Sequence, residues 1–277
     1  MSNYNLCSQL NSVDTFKITR DQLKKYSTGL VGYSKQRAEI DRIIKLCFSS
    51  SIERKYWDFL HMNGNILLYG KPGTGKTSIV YECAFNNEKA TFYSINLSSL
   101  ISEKLGKTEK AMTDFFEEVL QEAATSATIL LIEEIEAFLP NRSFSKDLED
   151  MKRTLTVFMH YLDLFVQNLV IICTTNHKDL LDPAILRRFS FIYKIENNEK
   201  QDIIDFLTQG KNPFSSGFSD KEINKEIAQY VVDHKMTFSE LKYHMKMLFV
   251  SGEDSKGKNV NSANLLNSLK MEESDDE

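Results

Sequence analysis

The sequence of 277 residues has few cysteines, no excess of basic residues and no long apolar segment. It contains no run of 18 or more apolar residues, so neither a transmembrane helix nor membrane insertion is expected. Its first residues lack a basic stretch followed by an apolar stretch, so no signal peptide is predicted. The net charge of −5 argues against a protein whose main role is to neutralise phosphates along DNA, although it leaves room for a local basic surface.

The four cysteines do not have the paired spacing that is typical of a metal site. Cys83 and Cys173 lie within apolar patterns and are predicted to be small buried hydrophobic residues, and a reducing cytoplasmic location is the simplest expectation. The composition, 42% hydrophobic and 26% charged, is typical of a globular protein with one large domain or with a large and a small one. The cysteines are Cys7, Cys47, Cys83 and Cys173.

Local patterns divide the chain into four regions. Residues 1–28 are polar and are expected to form an N-terminal extension with one short helix around Ile18–Tyr26. In residues 29–195, short apolar segments alternate with helical patterns, which predicts an α/β domain with a parallel sheet flanked by helices. Residues 196–251 have helical patterns only and are predicted to be a small helical lid domain. Residues 252–277 end in acidic residues and are predicted to be a disordered tail, in which Ala263–Met271 could fold as a helix on a partner.

Hydrophobic periodicity gives the individual elements of the two central regions. The predicted strands are Ile66–Tyr69, Thr91–Ile95, Thr128–Ile132, Leu169–Cys173 and Phe191–Ile195. The predicted helices are Lys76–Phe85, Glu109–Ala124, Leu148–Val166, Pro183–Arg187, Lys200–Thr208, Asp220–Val232 and Phe238–Phe249.

A glycine-rich segment, Gly70-Lys-Pro-Gly-Thr-Gly-Lys-Thr77, follows the first predicted strand and precedes a predicted helix. It fits the phosphate-loop pattern G-x-x-x-x-G-K-[ST], in which glycines let successive backbone N–H groups point at phosphate oxygens. Lys76 is predicted to reach the β- and γ-phosphates, and Thr77 to hold Mg²⁺ through its hydroxyl. The segment predicts a P-loop nucleoside-triphosphatase fold. The predicted nucleotide-binding residues are Lys71, Pro72, Gly73, Thr74, Gly75, Lys76, Thr77 and Ser78.

A second motif, Thr128-Ile-Leu-Leu-Ile-Glu-Glu-Ile-Glu136, places two acids at the end of an apolar strand. Buried carboxylates there are unfavourable unless a metal or a catalytic role compensates for the burial. Glu133 is predicted to bind Mg²⁺ through its water shell, and Glu134 to polarise the attacking water. Glu136 is expected to face solvent. The alternative is that the acids only cap a helix after a core strand.

With these motifs the chain resembles the AAA+ ATPases from about Gly29 to Phe249, and the resemblance implies a nucleotide-binding domain over 29–195. In that family Cys173-Thr-Thr-Asn176 resembles sensor 1, which implies that Asn176 positions the water near the γ-phosphate. Leu181-Asp-Pro-Ala-Ile-Leu-Arg-Arg-Phe189 resembles the second region of homology, whose arginines act on the γ-phosphate of a neighbouring subunit. The implied arginine fingers are Arg187 and Arg188. The alternative is a solvated arginine pair at a helix C-terminus.

Other segments resemble particular parts or branches of the family. Gly29-Leu-Val-Gly32 resembles the segment that borders adenine, which implies that Gly32 contacts the nucleotide. The double arginine is similar to the katanin, spastin and ESCRT-disassembly branch. The segment from Thr174 to Ile185 is similar to the mitochondrial Rieske-assembly ATPases, and the Glu-Ile-Glu stretch to the HORMA-remodelling ATPases. These branches stay open at this point.

The chain departs from the family pattern at three places. Glu133 stands where the family usually has Asp, which is expected to affect turnover more than nucleotide binding. Lys104 and Leu105 stand where protein-threading members have an aromatic residue; alternatively, this loop only begins a helix capped by Thr108. The lid lacks an arginine that could act as a second sensor, and Phe238 is expected to pack near the adenine.

The resemblance implies an enzyme that hydrolyses ATP with Mg²⁺ in a homo-oligomeric ring, expected to be a hexamer, and that remodels or unfolds a partner protein. One alternative is a regulatory switch whose ATP-bound assembly recruits or activates a separate effector protein. A second is a nucleic-acid-associated ATPase of the clamp-loader or transposition-regulator type. The acidic balance disfavours nucleic acid, although Lys104, Lys107 and Lys110 leave it open.

Overall fold

The computed structural model describes residues 16–27, 30–49, 54–96, 108–138, 145–196, 199–209, 212–252 and 257–275. The chain divides into two compact units. The first contains the described residues up to Tyr26, those of Gln36–Gly70 and those of Lys76–Lys194. The second contains the described residues of Ser27–Lys35, Lys71–Gly75 and the chain from Ile195 onward.

The first unit is built on a five-stranded parallel sheet. The three central strands are buried because helices cover both faces of a parallel sheet, so these strands are continuous apolar runs. The strand order is β2-β3-β4-β1-β5. The predicted α/β fold class and all five predicted strands are confirmed, within a residue or two at their ends. The strands are β1 (Asn65–Tyr69), β2 (Thr91–Asn96), β3 (Thr128–Glu133), β4 (Leu169–Thr175) and β5 (Phe191–Lys194).

The helices of this part of the chain bury aromatic and aliphatic side chains against the sheet. Phe116 stacks on Tyr161 with ring centroids 4.4 Å apart, and Phe158 lies beside them. These rings belong to one large core cluster. The helices are α1 (Arg20–Ser27), α2 (Ser34–Cys47), α3 (Arg54–Phe59), α4 (Lys76–Asn86), α5 (Thr108–Thr125), α6 (Ser145–Asp163) and α7 (Pro183–Leu186), with 3₁₀ turns at Ile135–Phe138 and Lys178–Leu180.

The segment that precedes α1 lies along the outer edge of the sheet. Lys17 forms an antiparallel bridge with Tyr93 of β2, and the Ile18 N–H donates to the Phe92 carbonyl at 2.9 Å. The ring of Phe16 meets Phe115 edge to face at 5.5 Å. The described part of the N-terminal extension is therefore anchored to the first unit by backbone pairing and by aromatic packing.

The second unit contains the helices after β5, and these helices share one apolar core. Their N-termini are capped in the ordinary way: Asp220 accepts from two backbone N–H groups, and Thr237 with Glu240 forms a capping box. The helices are α8 (Lys200–Thr208), α9 (Lys221–Asp233), α10 (Phe238–Ser251) and α11 (Ser262–Asp275), with a 3₁₀ turn at Ser215–Gly217.

Helix α11 corrects the prediction for residues 252–277. The tail was expected to be disordered, yet Ser262–Asp275 is helical, and Leu265, Leu266 and Leu269 are buried in the core of the second unit. The reason is that these leucines recur at helical spacing and so form an apolar stripe, although the segment is polar on average. The Tyr230 hydroxyl also donates to the Leu269 carbonyl at 2.9 Å. Residues 253–256 and the last two residues lie outside the described part.

Two expectations from the composition can be compared with the described residues. Cys83 and Cys173 are buried in the first unit, as predicted, and burial raises the pKa of the Cys83 thiol to about 12. Burial likewise raises the pKa of the Cys173 thiol. None of the helices in the described ranges is both long enough and apolar enough to cross a lipid bilayer.

Candidate nucleotide-binding and catalytic site

Several polar side chains of the first unit meet at the carboxyl edge of its sheet, where ligands bind in open parallel α/β folds. Lys76, the first residue of α4, is only 8% exposed. Its Nζ donates to the Gly70 carbonyl and to Asn176 Oδ1, both at 2.8 Å. Burial lowers the pKa of Lys76, and the negative charge of Glu136 opposes that effect. The predicted phosphate lysine and the predicted sensor asparagine are thus in direct contact.

Thr77 and Glu133 form a second pair at the same edge. Thr77 Oγ1 donates to Glu133 Oε2 at 2.6 Å, and Ser94 Oγ donates to Glu133 Oε1 at 3.5 Å. A hydroxyl can donate its proton to a carboxylate while its lone pairs remain free for a metal ion, so these oxygens fit Mg²⁺. The described residues contain no group of three or more His, Cys, Asp or Glu side chains that could hold a metal.

Glu134 lies immediately after β3 in an unusual backbone conformation. Its φ is +58°, in the left-handed region that non-glycine residues rarely adopt and that is enriched at functional sites. Its side chain is exposed, and Asn96 Nδ2 donates to Glu134 Oε2 at 3.0 Å. Asn96 was not among the predicted site residues. Its signal in the sequence is weak: a single polar residue that ends β2, in register with Glu133 of β3.

Glu136 does not face solvent, so that expectation is wrong. Its Oε1 accepts the backbone N–H of Asn176 at 2.9 Å. Its Oε2 is buried and has no hydrogen-bond partner within the described ranges. The reason is that the 3₁₀ turn Ile135–Phe138 packs against β4, with Ile135 fully buried, and so directs the following carboxylate inward.

The remaining loop residues and the Gly32 segment belong to the second unit. Gly73 has a φ of +77°, and a Cβ there would lie 2.8 Å from the side chain of Ser239, so only glycine fits. Ser239 Oγ donates to the Gly73 carbonyl at 3.3 Å. Thr74 is buried and donates to the Lys71 carbonyl. Gly32 has a φ of +85°.

Positions predicted at either end of this loop differ in exposure. Lys71, Pro72 and Gly73 are exposed, whereas Gly75 is half-buried and has a φ of +94°. Ser78, in the first turn of α4, is half-buried in the first unit. The first three of these loop residues are therefore accessible to solvent.

The second unit also contains an open pocket of about 410 Å³. Three phenylalanine rings, two side-chain amides and two lysines contribute to its wall, and this volume is within the range of small-molecule sites. Phe238, which was expected near the adenine, is not part of that wall but packs on Phe206, with ring centroids 4.9 Å apart. The residues that line the pocket include Val31, Phe206, Gln209, Asn212, Phe214, Lys242, Lys246 and Phe249.

Comparison with known families identifies the α/β region. Residues 66–197 match the model of the ATPase family associated with various cellular activities (AAA). The chain contains an AAA ATPase domain. The match runs from β1 to just beyond β5 and includes every side chain described above at the carboxyl edge of the sheet.

Individual proteins resemble the AAA domain and its surroundings to different extents. The 26S proteasome regulatory subunit 6B homolog of Encephalitozoon cuniculi is 38% identical over 47% of this chain and 34% of its own length. CD-NTase-associated protein 6 of Pseudomonas aeruginosa is 30% identical over 53% of this chain and 54% of its own length. The matched part thus spans about a third to a half of these relatives. A chain of the E. coli MS115-1 HORMA:CdnC:Trip13 complex has the same fold, with a TM-score of 0.75 at 15% identity, covering 94% of this chain and 96% of that one.

The two predicted finger arginines of the AAA domain differ in their contacts. Arg188 Nη2 forms an ion pair with Asp163 at 2.9 Å, and the guanidinium also donates to the carbonyls of Met159 and Ala184. Arg187 is exposed at the end of α7, and its side chain has no hydrogen-bond or ion-pair partner in the described part of the chain. The structure therefore separates two residues that the sequence could not distinguish. Lys104 and Leu105, where an aromatic residue was expected from the family, lie outside the described residues.

Proposed function

We propose that this chain binds and hydrolyses ATP in an oligomeric ring and uses the cycle to remodel a partner protein. The observation that carries the proposal is the meeting of Lys76, Thr77, Glu133 and Asn176 at the carboxyl edge of the sheet, with Glu134 placed immediately after β3. These are the residue types that phosphoryl transfer requires: a cation for the phosphates, oxygens for Mg²⁺, and a carboxylate and an amide for the attacking water.

Each side chain then has a distinct role. Lys76 exchanges the Gly70 carbonyl and Asn176 Oδ1 for oxygens of the β- and γ-phosphates. Thr77 and Glu133 would hold Mg²⁺, which neutralises charge on the phosphate oxygens. Glu134, held by Asn96, orients and polarises the attacking water, and Asn176 helps to position that water.

The pocket of the second unit supports a purine nucleotide. Val31, from the segment that resembles the adenine border, contributes to its wall together with Phe206. Aromatic rings stack on a flat base, and the exposed amide of Gln209 can both donate to and accept from its polar edge. We therefore place the adenine in this pocket.

Exposed apolar side chains on each unit support an oligomer. A head-to-tail ring needs two different complementary surfaces on each subunit. In the first unit three of the exposed apolar residues lie together at α3, and in the second unit three of them follow one face of α10 at helical spacing. These residues are Tyr56, Phe59 and Leu60 in the first unit and Tyr243, Met247 and Val250 in the second.

A protein is the favoured partner. The structural neighbour with a TM-score of 0.75 comes from a complex that contains HORMA and CdnC chains, and the net charge of −5 disfavours nucleic acid. A salt-sensitive gel shift with DNA would contradict this choice. A switch that recruits an effector without unfolding it is distinguished by assaying effector activity and partner unfolding separately.

The two arginines are expected to respond differently to substitution. Arg187→Ala should lower kcat for ATP by about 100-fold and leave the ATP dissociation constant within about threefold, because this side chain is free to act on a neighbouring subunit's γ-phosphate. Arg188→Ala should instead lower the thermal midpoint by several degrees, because it leaves Asp163 and two carbonyls without their donor. Turnover, nucleotide binding and thermal unfolding measured on both variants test this division. Full activity of Arg187→Ala would contradict it.

The proposed function is tested by measuring ATPase activity per subunit over about three orders of magnitude in protein concentration. Activity per subunit should rise with concentration and reach a plateau, because a site completed by a neighbour's Arg187 exists only in the assembly. Arg187→Ala should stay at the low value throughout. Undetectable turnover at every concentration, despite tight ATP binding, would contradict hydrolysis by the chain alone and would favour the switch.

A further inference from the structure

Glu136 is a half-buried acid next to the proposed catalytic residues, and no role has yet been assigned to it. One oxygen accepts the backbone N–H of Asn176 at 2.9 Å, and the other is buried without a hydrogen-bond partner within the described ranges. Burying a carboxylate oxygen in this way is unfavourable, because the oxygen loses its water. In the described part of the chain this situation occurs at Glu82 and Glu136.

The two glutamates differ in what surrounds them. Glu82 forms an ion pair with Arg37 between α4 and α2, which accounts for its burial as a structural contact. Glu136 forms no ion pair of that kind among the described residues, but its charge acts on Lys76, whose Nζ bonds to Asn176 Oδ1. The carboxylate of Glu136 therefore accepts a hydrogen bond from the backbone of Asn176. Its charge also acts on Lys76, which is the hydrogen-bond partner of the Asn176 side chain.

The position of the bond explains what it can do. Asn176 is the first residue after β4, so the ladder of the sheet no longer fixes it. A carboxylate is a stronger hydrogen-bond acceptor than a carbonyl. The bond from the Asn176 backbone N–H to Glu136 therefore restrains the backbone of Asn176, whichever group the side-chain amide of Asn176 binds. When Lys76 turns to the phosphates, Asn176 loses its partner but keeps its bond to Glu136.

We propose that Glu136 is a positioning residue for ATP hydrolysis, which holds Asn176 in place while its side chain changes partner from Lys76 to the attacking water. The inference rests on the proposed function, since it needs a hydrolytic site. It adds a residue that acts through Asn176 and that itself touches neither the nucleotide nor the water.

A double-mutant cycle on the full chain tests the proposal. Glu136→Ala should lower kcat by about tenfold and change the ATP dissociation constant by less than about threefold. Glu136→Gln keeps an oxygen for the Asn176 N–H and should retain kcat within about threefold of the unsubstituted chain. Asn176→Ala combined with Glu136→Ala should have the kcat of Asn176→Ala alone, within about twofold, because the two residues act in series.

Glu82→Ala is the matched control, because Glu82 is the other glutamate in the described ranges that has a buried carboxylate oxygen without a partner. It should lower the thermal midpoint and leave kcat within about twofold. Amide hydrogen exchange of Asn176 should become at least about tenfold faster in Glu136→Ala and stay unchanged in Glu82→Ala, because loss of the acceptor frees that N–H.

The outcomes are separable. If the unsubstituted chain hydrolyses ATP and Glu136→Ala keeps its kcat, the inference is wrong and the proposed function stands. Independent, multiplicative effects of the two alanine substitutions would equally overturn it. If Glu136→Ala fails to fold, loss of turnover in the isosteric Glu136→Gln would show that the hydrogen bond to Asn176 is not what matters. If the unsubstituted chain shows no turnover, the proposed function fails and the inference falls with it.

Discussion

Replacing Lys76 with methionine is expected to raise the ATP dissociation constant by about 100-fold or more and to abolish hydrolysis. The side chain is buried, and its ammonium group is held by the Gly70 carbonyl and Asn176. A preorganised cation in a site of low solvent content interacts strongly with phosphate oxygens, and methionine removes the charge while it keeps the apolar stem packed. Binding of a fluorescent ATP analogue to the variant, measured by titration, gives the dissociation constant.

Lys89, an exposed lysine shortly after the end of α4, provides the control. Lys89→Ala removes the same charge from the surface and should leave the dissociation constant within about twofold, since an exposed charge is screened. Thermal unfolding of Lys76→Met confirms that the variant is folded. Retained micromolar affinity in a folded Lys76→Met chain would contradict the phosphate-loop assignment.

Glu134→Gln is expected to separate binding from hydrolysis. Glutamine preserves the shape of the side chain and an oxygen that can accept from Asn96 Nδ2, but it cannot polarise a water as a carboxylate does. We expect kcat to fall by about 100-fold or more while the ATP dissociation constant changes by less than about threefold. The ATP-bound assembly should therefore persist, which size-exclusion chromatography with ATP and Mg²⁺ would detect.

Glu109→Gln is the matched control for Glu134→Gln, because Glu109 is an exposed acid in the first turn of α5. This variant should leave kcat unchanged within about twofold. If Glu134→Gln turns ATP over at the rate of the unsubstituted chain, the base lies elsewhere. Measuring both variants at the same protein concentration removes any effect of assembly on the comparison.

The strands were predictable from sequence because β1, β3 and β4 are almost wholly buried, and a buried parallel strand is a short apolar run between turn residues. The phosphate loop was predictable for a different reason: its glycines have backbone angles that other residues rarely adopt. In contrast, α11 was predicted only as a helix that could form on a partner, at Ala263–Met271, because the surrounding stretch 252–277 is rich in Ser, Asn and Lys. Its three buried leucines indicate a helix packed in the core only when their helical spacing is given more weight than the average polarity of the segment.

The catalytic contacts were only partly predictable. Lys76 and Glu134 can be identified because each has a fixed position within its own local motif. Asn96 escapes such a search because its contact with Glu134 depends on β2 lying next to β3 in register, and local sequence does not encode strand order. The inward direction of Glu136 and the different surroundings of Arg187 and Arg188 depend likewise on packing between distant elements.

The anchored N-terminal segment has a consequence for recognition by strand addition. An open edge strand can accept a foreign peptide by main-chain hydrogen bonds, and it is also a common starting point for aggregation. Lys17 and Ile18 of the same chain already form backbone contacts with part of the β2 edge, as an added strand would. A tethered segment competes at a local concentration in the millimolar range, so a peptide of ordinary affinity would be kept off this edge until the segment is released.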